Sequence, residues 1–245
     1  MANHDKAVLI QRQYYADTAA KYDAMHAHEA DDNPRTLRWI FGLLRMIEAR
    51  TVLDVGAGTG RYIRHLLDDM PELSVRGIEP VAAQIDEAVR KKGIPEGVIT
   101  QGTGEALPFE DSSFDVVCCF GMLHHVPKPD SVVREALRVA RKAVIIVDGN
   151  RFGQGRWPVR LLKLALYKAG LWGVANQIKT GGKGYLITPG DGLAYSYSVY
   201  DSFDRISEWA DQLAVIPTGD YKASSWFHPL LTSSAVLVCA IKDAK

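Results

Sequence analysis

The sequence of 245 residues has no excess charge of either sign. Lys and Arg together number 29, and Asp and Glu together also number 29. No overall electrostatic field therefore favours a polyanionic partner. The chain also lacks a basic stripe with interleaved aromatic residues, so nucleic acid is not expected as a partner.

Cysteine is scarce, and long apolar runs are missing. The three cysteines, Cys118, Cys119 and Cys239, stand inside apolar segments. Neighbouring residues of a strand point to opposite faces, which excludes a metal-binding pair at 118 and 119. No run reaches the length of a membrane span, and the first residues lack the apolar core of a signal peptide. We therefore expect buried thiols in a cytoplasmic protein without a transmembrane segment.

Glycine, in contrast, is concentrated at one informative place. A short apolar run, 52–55, is followed by Gly56, Gly58 and Gly60, and an apolar helical pattern begins directly afterwards. This order predicts a strand, a tight turn and a helix N-terminus, where a ligand can lie directly on a backbone without Cβ atoms. A second apolar strand ends in Glu79, whose carboxylate suits the two hydroxyls of a ribose. Together these features predict a site for a nucleoside-containing cofactor.

Two residues near the turn distinguish between cofactors. Arg61 stands where the fingerprint of nicotinamide cofactors has its third glycine. Asp54, inside the first strand, would repel a pyrophosphate but favour a cationic ligand. Asp54, the three glycines and the distant Glu79 resemble the first two motifs of class I S-adenosylmethionine-dependent methyltransferases.

Later segments extend this resemblance over about residues 50 to 148. The segment 101–109, which contains Ala106-Leu107-Pro108-Phe109, is similar to the adenine-side loop of the small-molecule, methyltransferase-11-like branch, and 120–126 is similar to its fourth motif. Thr103 stands where that branch often has an acid, and a hydroxyl can accept the same hydrogen bond. The resemblance implies S-adenosyl-L-methionine as cofactor. The expected cofactor-binding residues are Tyr22, Asp54, Gly56, Ala57, Gly58, Gly60, Glu79, Pro80, Thr103, Gly104, Glu105 and Phe120.

The alternation of strand and helix patterns after residue 50 predicts an α/β fold. Unbroken apolar strands at 114–120 and 143–147 suit a parallel sheet with helices on both faces. Right-handed crossovers then give a doubly wound, Rossmann-like sheet with its ligands at the carboxyl ends of the strands. The resemblance implies seven strands in the order 3-2-1-4-5-7-6, with strand 7 antiparallel.

We expect one methyltransferase domain over residues 1–245, divided into four parts. Residues 1–50 form two helices, over 7–21 and 34–49, which the resemblance suggests act as a lid carrying Tyr22; the alternative is that the tyrosines of this part simply pack on the sheet. Residues 51–148 form the cofactor-binding core, 149–201 an insertion that shapes the acceptor pocket, and 202–245 a final helix and strand pair. The pattern predicts this last helix over 202–213.

The insertion begins with an amphipathic helix over 157–168. Its polar side contains Arg156, Arg160, Lys163 and Lys168. We favour a helix that covers the core with a solvated basic face, and peripheral membrane contact is the alternative. Residues 179–184 and 188–192 are predicted to be flexible turns. Tyr195, Tyr197 and His228 are expected to contribute to substrate binding.

The chemistry predicted for the site is methyl transfer from a sulfonium. The methyl group is already electrophilic, so the protein must mainly align the acceptor. A hydroxyl acceptor also needs a base, and His124 and His125 follow the fourth strand; local packing is the alternative role for them. Asp148 and Asn150 with a histidine would suit a divalent metal such as Mg²⁺, which we do not favour.

The sequence leaves three functions open. O-methylation of a saccharide or a phenolic metabolite is favoured, because it uses a histidine base. The first alternative is C-methylation of a quinone or lipid. The second is a nucleoside-binding or scaffold protein without turnover.

Overall fold

The computed structural model describes residues 2–25, 34–188, 190–219 and 226–243. Its main sheet has seven strands in the order β3-β2-β1-β4-β5-β9-β8. Strand β9 is antiparallel to both of its neighbours, whereas the pairs on the other side, from β3 to β5, are parallel. The strands are β1 (Thr51–Val55), β2 (Ser74–Glu79), β3 (Ile99–Gln101), β4 (Phe114–Phe120), β5 (Ala140–Gly149), β8 (Gln212–Pro217) and β9 (Ala235–Ile241). The predicted doubly wound sheet and its strand order are confirmed.

Helices cover both faces of this sheet. Alternate residues of each central strand enter two separate apolar cores. Leu53 and Val55 of β1 enter the core that also contains buried side chains of α6 and α9, whereas Val52 enters the core formed with α3, α4 and α5. The helices are α1 (Ala2–Thr18), α2 (Tyr22–Met25), α3 (Pro34–Met46), α4 (Arg61–Asp69), α5 (Ala82–Lys92), α6 (Pro129–Val139), α7 (Trp157–Lys168), α8 (Trp172–Lys179) and α9 (Phe203–Trp209).

The structure corrects two of the predicted elements. The final helix ends at Trp209 rather than at 213, because Gln212–Pro217 pairs with β9. The predicted turn at 188–192 has its two end residues in strands: Tyr185–Thr188 (β6) and Gly192–Tyr195 (β7) form a separate antiparallel hairpin. None of the helices in the described ranges is long and apolar enough to span a membrane.

A buried carboxylate fastens the amino-terminal ends of three strands. Asp115 of β4 is 1% exposed. Its Oδ2 accepts hydrogen bonds from Arg50 N (2.8 Å) and Thr51 N (3.3 Å), and its Oδ1 accepts from Arg141 Nη2 of β5 (2.7 Å). Burial opposes ionisation, but the hydrogen bonds from Arg141 and the Arg50 backbone outweigh it and hold the pKa of Asp115 below its usual value.

Replacing this carboxylate should destabilise the fold. We expect Asp115→Ala to lower the free energy of unfolding at pH 7 by about 2–4 kcal/mol, because buried N–H groups and a guanidinium lose their acceptor. The difference from the natural protein should shrink as the pH falls below about 4, where the carboxyl of the unfolded chain is protonated. Urea unfolding measures both effects. Asp111→Ala is the matched control: its side chain is 78% exposed, and a loss as large as that of Asp115→Ala would contradict the account.

Candidate active site

The glycine turn lies at the carboxyl end of β1, and its glycines serve different purposes. All three have positive φ, at +76°, +55° and +72° for Gly56, Gly58 and Gly60. A Cβ at Gly60 would lie 2.2 Å from the Ile94 side chain, and one at Gly56 would lie 2.9 Å from Met122. At Gly58 the nearest atom would be 3.9 Å away. Gly56 and Gly60 therefore permit packing, whereas Gly58 leaves open space above the backbone for a ligand.

Glu79 ends β2 beside this turn and joins it to the next segment. Its Oε2 accepts a hydrogen bond from Gly58 N (2.9 Å), and its Oε1 accepts one from Val81 N (3.0 Å). Burial raises the pKa of Glu79 to about 7, although these two N–H groups and the charge of Arg12 act in the opposite direction. Each carboxylate oxygen has two lone pairs, so both can still accept from a ligand.

The turn and Glu79 line an open cleft. Opposite them, the loop after β3 contributes Thr103, Gly104 and Glu105. A Cβ at Gly104 would lie 2.8 Å from Val55, so glycine allows this loop to rest on β1. The predicted cofactor residues Tyr22, Gly56, Gly58, Glu79, Pro80, Thr103, Gly104, Glu105 and Phe120 all line the cleft.

A smaller cavity adjoins this cleft on the side of Asp54. The two share Tyr22, Gly56, Gly58, Phe120 and Gly121 in their walls. The smaller cavity adds Asp54, which is 2% exposed, together with Ala57 and Arg61. The two adjoining spaces thus have one carboxylate each, Glu79 in the main cleft and Asp54 in the smaller cavity. Together they suit an adenosyl group joined to a cationic amino acid, which is how S-adenosylmethionine is built.

Helix α1 and the short α2 cover the cleft from above. Gln11, Arg12 and Tyr15 of α1 line it. Asp23 of α2 accepts hydrogen bonds from Thr59 Oγ1 (2.5 Å) and Lys92 Nζ (2.6 Å), which fastens this cover to the glycine turn and to α5. The helical cover was predicted, but the contribution of Gln11 and Arg12 was not, because their spacing on α1 has no distinctive pattern.

The two candidate catalytic histidines occupy a helical turn after β4, and they have different surroundings. His125 lines the main cleft, whereas His124 lines neither cavity. His124 donates from Nδ1 to Asp148 Oδ1 at the end of β5 (2.8 Å). The other oxygen of Asp148 accepts from Leu123 N (2.9 Å), so this carboxylate fixes the whole turn.

A third acid, Asp191, joins the histidines from the hairpin that the sequence analysis missed. Its Oδ2 lies 3.5 Å from His124 Nε2, and its Oδ1 lies 3.2 Å from His125 Nε2. The Nδ1 of His125 donates to Leu193 O of β7 (2.8 Å), and Gln11 Nε2 is 3.1 Å from the same nitrogen. The β6–β7 hairpin therefore completes the site. Asp191 follows a Pro-Gly pair, which indicated only a turn.

These neighbours shift the pKa values of the two histidines in opposite directions. Burial disfavours a charged His124, but Asp148 and Asp191 outweigh it and place the pKa of His124 well above its usual value. Burial and the charge of His124 lower the pKa of His125, against the opposing effect of Asp191. At neutral pH the arrangement holds a cationic His124 beside a neutral His125, and a neutral imidazole at the cleft can accept a proton.

The residues considered for a metal are arranged differently from the expectation. The Asn150 side chain donates to Leu230 O (2.7 Å) and Ser233 O (2.8 Å) and accepts from Phe152 N (3.0 Å), so it caps the following turn. Among the described residues, one group of potential metal donors lies within 4.8 Å of one another, namely His124, His125 and Asp191. These three donor atoms also suit a divalent cation.

The three residues expected to bind substrate do not line either cavity. Tyr197 is 7% exposed and its hydroxyl lies 3.1 Å from Ser202 Oγ, whereas Tyr195 packs against Tyr185 across the hairpin. His228 Nδ1 lies 2.6 Å from Thr232 Oγ1. The walls that the structure supplies instead, near His125, are Tyr15, Met122, Val126 and Pro127.

Comparisons with known proteins indicate a methyltransferase. Residues 53–147 match the family described as "Methyltransferase domain". An uncharacterized methyltransferase of Mycobacterium avium is 27% identical over 91% of this chain and 80% of its own length. A demethylmenaquinone methyltransferase of Renibacterium salmoninarum is 26% identical (80% and 79%), and a ubiquinone biosynthesis O-methyltransferase of Bordetella avium is 33% identical over 54% of each chain.

Solved structures show the same fold. The magnesium protoporphyrin IX methyltransferase of Synechocystis, solved with bound S-adenosylhomocysteine, superposes with a TM-score of 0.59. It covers 97% of this chain and 100% of its own, at 16% identity. At this identity the likeness concerns the fold alone.

Removing the Glu79 carboxylate should weaken cofactor binding. We expect Glu79→Ala to lose about 1–3 kcal/mol of affinity for S-adenosylhomocysteine, the cost of charged hydrogen bonds left unmade. Because hydroxyl donors favour the ionised carboxylate and its pKa without ligand is about 7, the natural protein should bind about tenfold more weakly at pH 6 than at pH 8. Titration calorimetry at both pH values measures this.

Glu87→Ala is the control for this measurement, because Glu87 pairs with Arg90 and Lys91 of its own helix and lines neither cavity. Affinity and pH dependence should both be unchanged in the control and both be reduced in Glu79→Ala. Equal affinities of Glu79→Ala and the natural protein at pH 8 would contradict the proposed contact with the ligand.

Proposed function

Since the chain is a class I S-adenosylmethionine-dependent methyltransferase, we propose that it methylates a hydroxyl of a small molecule, with His125 as the base. One observation carries this proposal. His125 is the histidine that lines the main cleft, and its pKa is lowered, so that it is neutral at physiological pH. A neutral imidazole at the acceptor side is of use to an oxygen nucleophile, which attacks poorly while it keeps its proton.

We assign the two ends of the cleft to the two ends of the cofactor. Glu79 would accept hydrogen bonds from the ribose hydroxyls, and Thr103, Gly104 and Glu105 would contact the adenine. Asp54 would face the amino acid end, where the ammonium and sulfonium charges favour a carboxylate. When bound, S-adenosylmethionine supplies a methyl group that is already activated by the positive sulfur. The chain's own part is to bind, to orient and to remove a proton.

The proton of the acceptor hydroxyl would pass to His125 Nε2. Nδ1 donates to Leu193 O (2.8 Å), so Nε2 is the nitrogen that would take the proton. Asp191 Oδ1, 3.2 Å from Nε2, accepts only from the protonated ring and would therefore stabilise the imidazolium that forms. His124, fixed by Asp148, acts as a positioning residue: it holds Asp191 from the other side and keeps the pKa of His125 low.

The acceptor that suits this site is a small hydroxylated molecule such as a saccharide or a phenolic metabolite. Tyr15 packs edge-on against His125, with ring centroids 5.5 Å apart. Met122 and Val126 add apolar surface to the same wall, which favours a ring over a linear polar chain. The similarity to a ubiquinone biosynthesis O-methyltransferase supports transfer to oxygen. The three free, buried cysteines support a cytoplasmic location.

A lipid-soluble acceptor methylated at carbon is the second candidate. The similarity to a demethylmenaquinone methyltransferase supports it, as does the apolar surface of α7. Neither α7 nor α8 buries a single residue, contrary to the expectation of a helix that covers the core. A nucleoside-binding role without turnover is disfavoured by the network around His125, which cofactor retention alone does not need.

The test is transfer of a labelled methyl group from S-adenosylmethionine to saccharide, phenol and quinol acceptors by the purified protein. Label that forms an alkyl ether on an acceptor oxygen would support O-methylation. Label attached to carbon would overturn it in favour of the second candidate, and a protein that binds the cofactor but labels no pool would favour a binding role. A parallel reaction with a chelator tests whether a divalent cation takes part.

Replacing each histidine should separate their roles. We expect His125→Asn to lower kcat by about 10²–10⁴-fold, the usual contribution of a general base, with unchanged affinity for S-adenosylhomocysteine.

In the natural protein kcat should fall as the pH drops through the lowered pKa of His125. In His124→Asn this acid limb should move to higher pH, because the neighbouring positive charge is gone. His65→Asn is the control, because this half-buried histidine of α4 lines neither cavity. An unchanged pH profile in His124→Asn, or full kcat in His125→Asn, would contradict the assignment.

A further inference from the structure

The segment from Arg151 to Thr188, which we call the cationic segment, has an unusual charge balance. It contains seven Lys and Arg residues and no Asp or Glu, whereas the rest of the chain has 22 Lys and Arg against 29 Asp and Glu. It includes the short 3₁₀ turn after β5, helices α7 and α8, and strand β6. The segment therefore has a net charge of +7, and the rest of the chain a net charge of −7.

The same segment has most of the exposed apolar surface. Of 15 large hydrophobic side chains that are exposed in the described part of the chain, nine lie between residues 157 and 187. Leu161 and Leu162 are 52% and 58% exposed, and Ile178 is 78% exposed. Exposed apolar surface in this amount marks an interaction site.

Helix α7 is oriented with its apolar side outward. Arg160 donates to Leu231 O (2.8 Å) and Gly155 O (2.6 Å), and Lys163 Nζ donates to Arg151 O (3.0 Å) and Gln154 O (3.1 Å). These basic side chains thus face the body of the protein, where backbone carbonyls hold them. Leu161 and Leu162 face away. The sequence analysis predicted a solvated basic face, whereas only Arg156 and Lys168 of its four residues are exposed.

From these observations we infer that the cationic segment docks onto an anionic lipid surface. Leu161, Leu162 and Ile178 would enter the boundary of headgroups and acyl chains, and Trp157 suits the same depth. The exposed Arg156, Lys168, Lys179 and Lys183 would pair with anionic headgroups. A second copy of the chain fits less well, because a symmetric contact would bring two cationic segments together without any carboxylate of their own.

Docking would also bring the active site to the membrane. Strand β6, with Leu186 and Ile187 exposed, leads into the turn that holds Asp191 against the histidine pair. An acceptor dissolved in the bilayer would then have a short path to His125. The docking proposal itself does not depend on which acceptor is used.

The test is co-sedimentation of the full chain with two kinds of vesicle. One contains phosphatidylcholine with about 30% phosphatidylglycerol, an anionic fraction that attracts basic segments, and the other contains phosphatidylcholine alone. We expect binding to the anionic vesicles, weakened at about 1 M salt, where screening shortens the range of charge attraction to about 3 Å. Leu161→Asn/Leu162→Asn should bind roughly tenfold or more weakly, and Lys179→Gln/Lys183→Gln should lose about fivefold for each charge.

Leu9→Asn/Met46→Asn is the matched control, since it removes two side chains that are 65% and 63% exposed outside the segment. It should bind vesicles as the natural protein does, and all variants should unfold at the same temperature. The proposal is overturned if the natural protein leaves both kinds of vesicle unbound, or if the control loses as much binding as the Leu161/Leu162 variant. A dimer that Leu161→Asn/Leu162→Asn dissociates, seen in sedimentation without vesicle binding, would also overturn it and identify a second copy as the occupant.

Discussion

The site depends on one carboxylate at the end of β2. Glu79 accepts from the backbone of the glycine turn and from the start of α5, so it holds together the two segments that form the cofactor cleft. It is 5% exposed, and burial makes its ionised form costly. The fold tolerates this cost because two N–H groups already point at the oxygens. The two hydroxyls of a ligand would replace the hydrogen bonds from water that the carboxylate loses on burial.

A second group of charges sets the protonation states of the two histidines, on which the proposed chemistry rests. Asp148 and Asp191 hold His124 between them, and the charge that results keeps His125 neutral. Two adjacent histidines with the same intrinsic pKa thus have different protonation states, because only one has a buried carboxylate on Nδ1 while the other has a backbone carbonyl there. Such separation of neighbouring titratable groups is typical of catalytic sites.

The parts of the structure that the sequence predicted are those in which local pattern and tertiary position coincide. The glycine turn, Glu79 and the buried parallel strands each have a short-range signal, and the strand order followed from the family resemblance. Asp191 had no such signal, because its role arises only when the β6–β7 hairpin folds back onto β4. The orientation of α7 was also beyond the sequence: its amphipathic pattern shows that two faces exist but not which of them meets the protein. The orientation depends on the backbone carbonyls of Leu231 and Gln154, which accept from Arg160 and Lys163. Leu231 is distant in sequence, and no sequence pattern marks a backbone carbonyl as an acceptor.

The most direct test of this account is a crystal structure of the protein with S-adenosylhomocysteine. The account predicts both ribose hydroxyls within hydrogen-bonding distance of Glu79, the adenine against Thr103–Glu105, and the amino acid end toward Asp54. It also predicts that the backbone of Gly58 contacts the ligand directly. A ligand seated elsewhere, or one that leaves Glu79 bonded only to Gly58 and Val81, would contradict the central claim.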